Sequence, residues 1–302
     1  MHLRRLVSFA LLLGLGLGWP IFADDAAMSS HQEEIRQWRE RRLVRLQADT
    51  GYLALAGLYW LEEGENSFGS DKSNDVIFPP HGAPAKAGVF VRKGQEVRVR
   101  AFPGTALLNA GKPVQEMLLA SDATEEPTRL ELGDLSFMLI ERSGRYAIRL
   151  RDKQSPIRKN FHGIENYPVD AGYRLRAKFE PYDPMKPIAI VNVVGLVDTM
   201  YSPGSLVFSL QGKECRLDSV LESPADTTLF IIFRDATSGD ETYGDGRFLY
   251  TSMPAAGQVI VDFNKAYNPP CAFSPYTTCP LPPRQNELEI PVRAGEKAYA
   301  EK

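Results

Sequence analysis

Residues 229–247 read LFIIFRDATSGDETYGDGR, and this stretch decides both the fold class and the place to look for a site. Its first five residues are apolar without interruption, which is typical of a central strand buried on both faces. The run that follows is dense in Arg, Asp, Thr, Tyr and Gly, and loops of this kind after a rigid strand commonly carry functional side chains. We therefore predict a β-rich domain with its site at the end of this strand.

Short strands recur on both sides of this stretch. Apolar and polar residues alternate over 89–99, 130–139 and 146–150, with a glycine turn beside each segment. The same pattern or a continuous apolar run returns in four later segments, which are 173–179, 188–194, 206–210 and 259–263. Strands of this length and spacing are typical of a sandwich or barrel, so the sequence predicts a mainly β protein.

A helix is predicted over residues 31–48. Ser30 and Glu33 form a capping box, and Ile35, Trp38 and Leu46 then fall on one helical face. The segment Tyr52–Leu61 that follows is interpreted as a short helix or a turn.

The first residues have the order of parts of a secretory signal peptide. Arg4 and Arg5 precede an apolar run over 6–19, and Ala23 offers a small residue for cleavage. The run is shorter than the roughly 20 residues of a membrane span, so we expect cleavage after Ala23 and a periplasmic or secreted protein without a stable span. An uncleaved anchor is the alternative.

Charge and histidine content exclude several classes of function. Removal of residues 1–23 takes away two Arg and no acid, so the net charge falls from −3 to −5. An acidic protein lacks the basic surface that nucleic acids require. His31, His81 and His162 lie far apart without metal-ligand spacing, so no metal site and no cofactor is predicted.

The first half resembles a forkhead-associated (FHA) domain. The resemblance lies in FGSDKSNDVIF at 68–78, NAGKPV at 109–114 and LGD at 132–134. FHA domains bind phosphothreonine through an Arg after the first Gly and through a Ser-x-x-His pair. Here Ser70 stands at the Arg position and APAKAG at 83–88 replaces the pair. The resemblance implies a β-sandwich without phosphothreonine binding.

Polar residues near the apolar strands form the candidate site. Arg234 or Arg247 could hold a carboxylate or phosphate, Asp235 or Asp262 could serve as a general base, and Tyr243 or Tyr250 could donate a proton. The further predicted ligand-binding residues are Arg158, Lys159, Asn160, Tyr250, Asn264 and Asn268. In the alternative interpretation, Arg234, Asp235 and Asp262 are a structural network that fastens a glycine-rich loop.

Cys271 and Cys279 are predicted to form a disulfide, since an exported protein meets an oxidising compartment. The alternative is a nucleophilic Cys271 with His162 as its base. Cys215 is interpreted as a small buried hydrophobic residue that shares a strand face with Leu217.

Several motifs together resemble the DUF1684 family over nearly all of the chain behind the signal. They are GLYWL at 57–61, SPIRKNF at 155–161, FRDATSG at 233–239, ETYG at 241–244, GRFLY at 246–250 and DFNKAYNPPCAF at 262–273. The resemblance implies no activity, but it makes the polar residues of these motifs the distinctive feature of the family.

We predict four segments. Residues 1–23 are the signal peptide, 24–63 a helical segment, 64–155 the FHA-like sandwich and 156–302 a second β-rich sandwich or barrel-like domain. The predicted function is binding of a small anionic or sugar-like ligand at a polar cleft of the C-terminal domain. A metal-independent hydrolase with an Asp general base and a structural or partner-binding envelope protein are the alternatives.

Overall fold

The structure, a computed structural model, describes residues 21–299, with side chains from residue 29 onward. The predicted signal peptide therefore lies, apart from its last three residues, outside the described residues. Two α-helices, α1 (Ile21–Gln47) and α2 (Pro156–Lys159), accompany the strands. The strands are β1 (Leu55–Trp60), β2 (Gly64–Gly69), β3 (Val76–Ile77), β4 (Gly88–Lys93), β5 (Glu96–Ala101), β6 (Leu108–Asn109), β7 (Lys112–Pro113), β8 (Glu116–Leu118), β9 (Arg129–Leu132), β10 (Leu135–Arg142), β11 (Arg145–Asp152), β12 (Arg174–Val191), β13 (Val197–Leu210), β14 (Lys213–Leu221), β15 (Thr228–Phe233), β16 (Arg247–Ser252) and β17 (Gln258–Asp262).

The first half is a sandwich of two sheets, with strand orders β1-β11-β10-β9-β6-β7 and β3-β2-β4-β5-β8. Alternating residues of both sheets meet in one apolar core. At its centre Phe137 of β10 contacts three aromatic rings of the second sheet and its connections, with ring centroids 5.0 to 6.1 Å apart. These rings belong to Phe68, Phe78 and Phe90. The predicted mainly β fold, with an N-terminal helix, an FHA-like sandwich and a second β domain, is confirmed.

The second half is a nearly closed barrel with the strand order β16-β15-β14-β13-β12-β17. The two end strands approach each other, and Thr251 Oγ1 of β16 donates to the carbonyl of Ile260 in β17 at 2.6 Å. The C-terminal segment 288–294 contributes Leu288, Ile290 and Val292 to the core between the strands. The core of the second half therefore depends on where this segment is held.

Four local predictions differ from the structure. The helix begins at Ile21, before the predicted start at residue 31, so Ser30 lies inside α1 and the predicted capping box is wrong. Leu55–Trp60 is a strand paired with β11, whereas the sequence suggests a short helix or turn there. The two predicted strands at 173–179 and 188–194 are one long strand, β12, interrupted by a register shift between Pro181 and Lys186. Arg247, the last residue of the region interpreted as a polar loop, begins the strand β16 (Arg247–Ser252). Burial of β15 on both faces is confirmed.

Two buried contacts fix α1 against the barrel. His31 Nε2 lies 2.7 Å from Asp262 Oδ2 at the end of β17. One turn before the end of the helix, Arg42 Nε donates to Glu296 Oε1 at 2.5 Å, and both side chains are largely buried. The helix is thus fastened both to the barrel wall and to the C-terminal segment.

The sandwich core provides a test of the fold. Phe137→Ala removes the ring that joins the two sheets, so we expect the free energy of unfolding to fall by about 3–5 kcal/mol in chemical denaturation. Leu118→Ala, at an exposed position of β8, is the matched control and should change it by at most about 0.5 kcal/mol. Equal effects of the two substitutions would contradict the two-sheet core.

Candidate functional site

The central pair of the predicted site, Asp235 and Arg247, is a fully buried ion pair. Arg247 Nη2 donates to Asp235 Oδ2 at 2.8 Å, and neither side chain is exposed to solvent. The other carboxylate oxygen accepts hydrogen bonds from the Thr237 amide, the Thr237 hydroxyl and the Val292 amide. Every contact of this carboxylate is therefore with a protein group.

The same guanidinium holds the C-terminal segment. Arg247 donates to the carbonyls of Val292 at 2.8 Å and Ala294 at 2.5 Å, and more weakly to that of Glu296 at 3.3 Å. A buried carboxylate and backbone carbonyls thus occupy both terminal nitrogens of Arg247, whereas its buried Nε has no partner in the described part of the chain. This arrangement corresponds to the structural interpretation of the FRDATSG and GRFLY motifs.

Asp262 is also fully engaged. Its Oδ2 is bonded to His31, and its Oδ1 accepts from the backbone amide and the side chain of Asn264. Asn264 in turn bonds the backbone of Asp170. The assignment of Asp235 and Asp262 as general bases stays a prediction, and the geometry supports their structural alternative.

The other predicted residues are dispersed. Arg158 pairs with Asp49 at 2.7 Å, Lys159, Asn160 and Arg234 are exposed, and the buried Asn268 donates to the carbonyl of Lys297. The Tyr243 hydroxyl donates to Asp245 at 3.2 Å, and burial raises the pKa of Tyr243. Of the predicted catalytic and ligand-binding residues, only Tyr250 lines the main cavity described next.

The predicted disulfide is absent, because Cys271 and Cys279 are free thiols in the structure. The backbone amide of Cys271 donates to Cys279 Sγ at 3.2 Å, so the sulfur is held as an acceptor. A hydrogen bond between the two side chains raises the pKa of Cys271 and lowers that of Cys279. Cys215 is buried beside Leu217 in the barrel core, as the sequence predicts.

A cavity of about 910 Å³ lies where α1, the sandwich and the barrel meet, and we call it the cleft. The helix contributes Trp38 and Arg45, the outer face of β11 contributes Arg149 and Arg151, and the barrel contributes Tyr250. Further parts of the wall come from the β12–β13 hairpin, from residues 277–280, and from Tyr52, Arg142 and Glu222. Its volume is within the range of small-molecule sites.

Strand alternation places the arginines in the cleft. Tyr146, Ile148 and Leu150 of β11 point into the sandwich core, so Arg149 and Arg151 point to the opposite face of the sheet. That face is covered by the second half of the chain instead of by water, and Arg149 is only 8% exposed.

Neither arginine has an ion-pair partner among the described residues. Arg149 Nη2 donates to Thr278 Oγ1 at 3.2 Å, and Arg151 has a long contact with the sulfur of Met138. The Nε atoms of both are buried without a hydrogen-bond partner. Burial and the nearby charge of Arg142 lower the pKa of Arg149 to about 10, and burial also lowers the pKa of Arg151.

Sequence reasoning missed these arginines for a physical reason. They alternate with apolar residues along β11, and the alternation alone assigns them to solvent. Only the packing of a second unit on that sheet face turns them into cleft residues. The sequence feature that could have identified them is the presence of three arginines on one face of the strand, namely Arg145, Arg149 and Arg151.

Within the described part of the chain, no three or more His, Cys, Asp or Glu side chains converge in a way that could hold a metal ion. In the same residues no helix is long and apolar enough to cross a membrane.

Comparisons with known proteins give one family and several structures. The model of the family described as "Protein of unknown function (DUF1684)" matches residues 159–297. An uncharacterised protein of Haloarcula marismortui, solved by solution NMR, is 30% identical over 46% of this chain and 78% of its own, with a TM-score of 0.40. No curated protein matches the chain.

Two FHA domains are similar to this chain at lower identity. One, from a study of phosphothreonine-dependent FHA interactions, is 19% identical over 31% of this chain and 92% of its own, with a TM-score of 0.22. The other, the FhaA FHA domain solved in complex with an intracellular domain, is 19% identical over 31% of this chain and 97% of its own, also with a TM-score of 0.22.

The buried ion pair provides a test of its structural role. Arg247→Met leaves the Asp235 carboxylate buried without its charge partner, so we expect the free energy of unfolding to fall by about 3–5 kcal/mol. Arg234→Met, at the exposed neighbouring position, is the control and should cost less than about 0.5 kcal/mol. Urea denaturation followed by tryptophan fluorescence measures both. A well-folded Arg247→Met protein of unchanged stability would contradict the structural assignment.

Proposed function

The chain belongs to the DUF1684 family, and we propose that it binds a small anionic ligand in the cleft between the sandwich, the barrel and α1. The observation that supports this proposal is the buried, unpaired charge of Arg149 and Arg151 beside a cavity of ligand size. A buried charge without a partner costs several kcal/mol, and proteins normally pair such groups. An anion in the cleft would supply the missing partner.

The charge of the cleft as a whole agrees with this proposal. Its basic residues are Arg42, Arg45, Arg142, Arg149, Arg151 and Lys265, against the acids Asp198 and Glu222. Arg42 is paired with Glu296, Arg142 with Asp122 and Lys265 with Glu34. Arg45, Arg149 and Arg151 remain for a ligand, and a guanidinium can hold a carboxylate or phosphate with two parallel hydrogen bonds.

The acidic net charge of the chain does not oppose anion binding. A cleft lined by one sign of charge concentrates ligands of the opposite sign even when the rest of the surface repels them. The sequence predicts export, so we further propose that the ligand is met outside the cytoplasm. The proposed site thus lies on the outer face of β11, whereas the sequence predicts a site at the end of β15.

Arg149→Met tests the proposal through two effects of opposite sign. The pKa of Arg149 is about 10 instead of 12.5. The unfolded chain therefore binds this proton more tightly, and at neutral pH the charged group destabilises the ligand-free fold by up to about 3 kcal/mol. We expect Arg149→Met to raise the melting temperature without ligand and to abolish the stabilisation that inorganic phosphate gives the unmodified protein. Differential scanning calorimetry with and without phosphate measures both effects.

Arg145→Met is the control, because Arg145 lies on the same strand face but outside the cleft. It should keep the phosphate effect of the unmodified protein, which is about 2.7 kcal/mol at 100 times the dissociation constant. A lower melting temperature of Arg149→Met without ligand, together with an unchanged response to phosphate, would show that Arg149 is only structural and would refute the proposal.

A further inference from the structure

We infer that the anion of the cleft is carried on a sugar ring, so that the ligand is a sugar acid, either a uronic acid or a sugar phosphate. The inference rests on the proposed anion binding and names the class of ligand. It depends on groups in the cleft that would repel a plain anion or would make no contact with it.

The first such group is a carboxylate. Glu222 lines the cleft and is exposed, yet it forms no ion pair with the cleft arginines among the described residues. Its Oε2 accepts the hydroxyl hydrogen of Tyr250 at 2.5 Å, while its Oε1 has no hydrogen-bond partner in the described part of the chain. A carboxylate at this position repels a simple anion, whereas it accepts hydrogen bonds from hydroxyl groups. The ligand is therefore one that carries donors as well as a negative charge.

The second feature is aromatic. Tyr52 is 42% and Tyr250 39% exposed, and both line the cleft. Tyr250 is stacked against Phe230 on the neighbouring strand, with centroids 4.7 Å apart, so its ring is held in place. The exposed parts of the two rings offer apolar surface, and their hydroxyl oxygens can accept hydrogen bonds, which suits a molecule with both C–H and O–H groups, such as a pyranose.

The third feature is an unused amide donor. Asn192 is 5% exposed and lines the cleft. Its Oδ1 accepts the backbone amides of Val194 and Leu196, which fixes the side chain, and its Nδ2 has no partner. A buried donor without a partner costs about 1–3 kcal/mol, and a ligand oxygen would remove that cost. The cleft thus presents charged donors, an amide donor and a carboxylate acceptor around one cavity.

The test compares anions that carry a sugar ring with anions of the same charged group that do not. Isothermal titration calorimetry on the full chain behind the predicted signal uses glucuronate against cyclohexanecarboxylate, and glucose 6-phosphate against inorganic phosphate, with neutral glucose as a further probe. We expect each sugar acid to bind at least about tenfold tighter than its matched plain anion, and glucose to bind more weakly than either sugar acid, since tenfold corresponds to about one good hydrogen bond. The tighter of the two sugar acids identifies carboxylate or phosphate as the anionic group.

Glu222→Gln gives a signature that a structural role does not produce. Loss of the charge removes the best hydroxyl acceptor and also the repulsion of anions. We expect weaker glucuronate binding and tighter cyclohexanecarboxylate binding, whereas general damage would weaken both. Asn192→Asp keeps the acceptor of the turn, removes the donor and adds a negative charge, so it should weaken both sugar acids and, by repulsion, the plain anions as well. Glu214→Gln, at an exposed position outside the cleft, is the matched control.

The outcomes separate the two levels of the proposal. If plain anions bind through Arg149 but sugar acids bind no tighter, the sugar inference is wrong and anion binding stands. If Glu222→Gln changes both carboxylates in the same direction, the inference is also wrong. If none of the anions binds, the proposed function itself fails.

Discussion

The buried ion pair between Asp235 and Arg247 is the constraint on which the rest of the second half depends. The terminal nitrogens of Arg247 also donate to carbonyls of the C-terminal segment, and Asp235 accepts an amide of the same segment, so the pair fixes residues 292–296. Glu296 is thereby positioned to bond Arg42, which fastens α1. The helix then forms one wall of the cleft. The Asp235–Arg247 pair does not line the cleft, yet it positions the helix that forms one wall of the cleft.

Paired and unpaired arginines have different roles in this molecule. Arg247 and Arg42 have carboxylate partners and carbonyl acceptors, and each fixes one segment of chain to another. Arg149 and Arg151 have no carboxylate partner among the described residues, although Arg149 is buried and Arg151 is half-buried with its Nε shielded from solvent. Retaining such charges lowers the stability of the empty protein, and proteins commonly accept this cost at sites of function. The cleft therefore differs from the structural ion pairs in that Arg149 and Arg151 lack charge partners, and not in the number of its polar residues.

Local patterns predicted most of the fold, because strand alternation and turn residues are local signals. The apolar run 229–233, the hairpins of the sandwich and the helix before residue 48 all follow from the sequence. Leu55–Trp60 is a strand because it pairs with the distant β11, and Arg247–Ser252 is a strand because it pairs with the apolar β15 across the polar loop. Neither pairing is a local signal. The sequence predicts the candidate site less well than the fold. Dense polar motifs pointed to Asp235, Arg247 and Asp262, which are structural in their contacts, while Arg149 looked like an exposed strand residue until a second unit covered it.

The most direct measurement of the central claim is an NMR titration that observes the Nε–Hε groups of arginine while inorganic phosphate is added. If the cleft binds anions, the signals of Arg149 and Arg151 shift with a common saturation curve, because their unpartnered Nε–H groups gain acceptors. The Nε–H of Arg247 also has no partner among the described residues, but Arg247 is fully buried and does not line the cleft, so its signal stays in place. Shifts confined to exposed arginines such as Arg98 and Arg145, with Arg149 and Arg151 unmoved at saturating phosphate, would contradict the account.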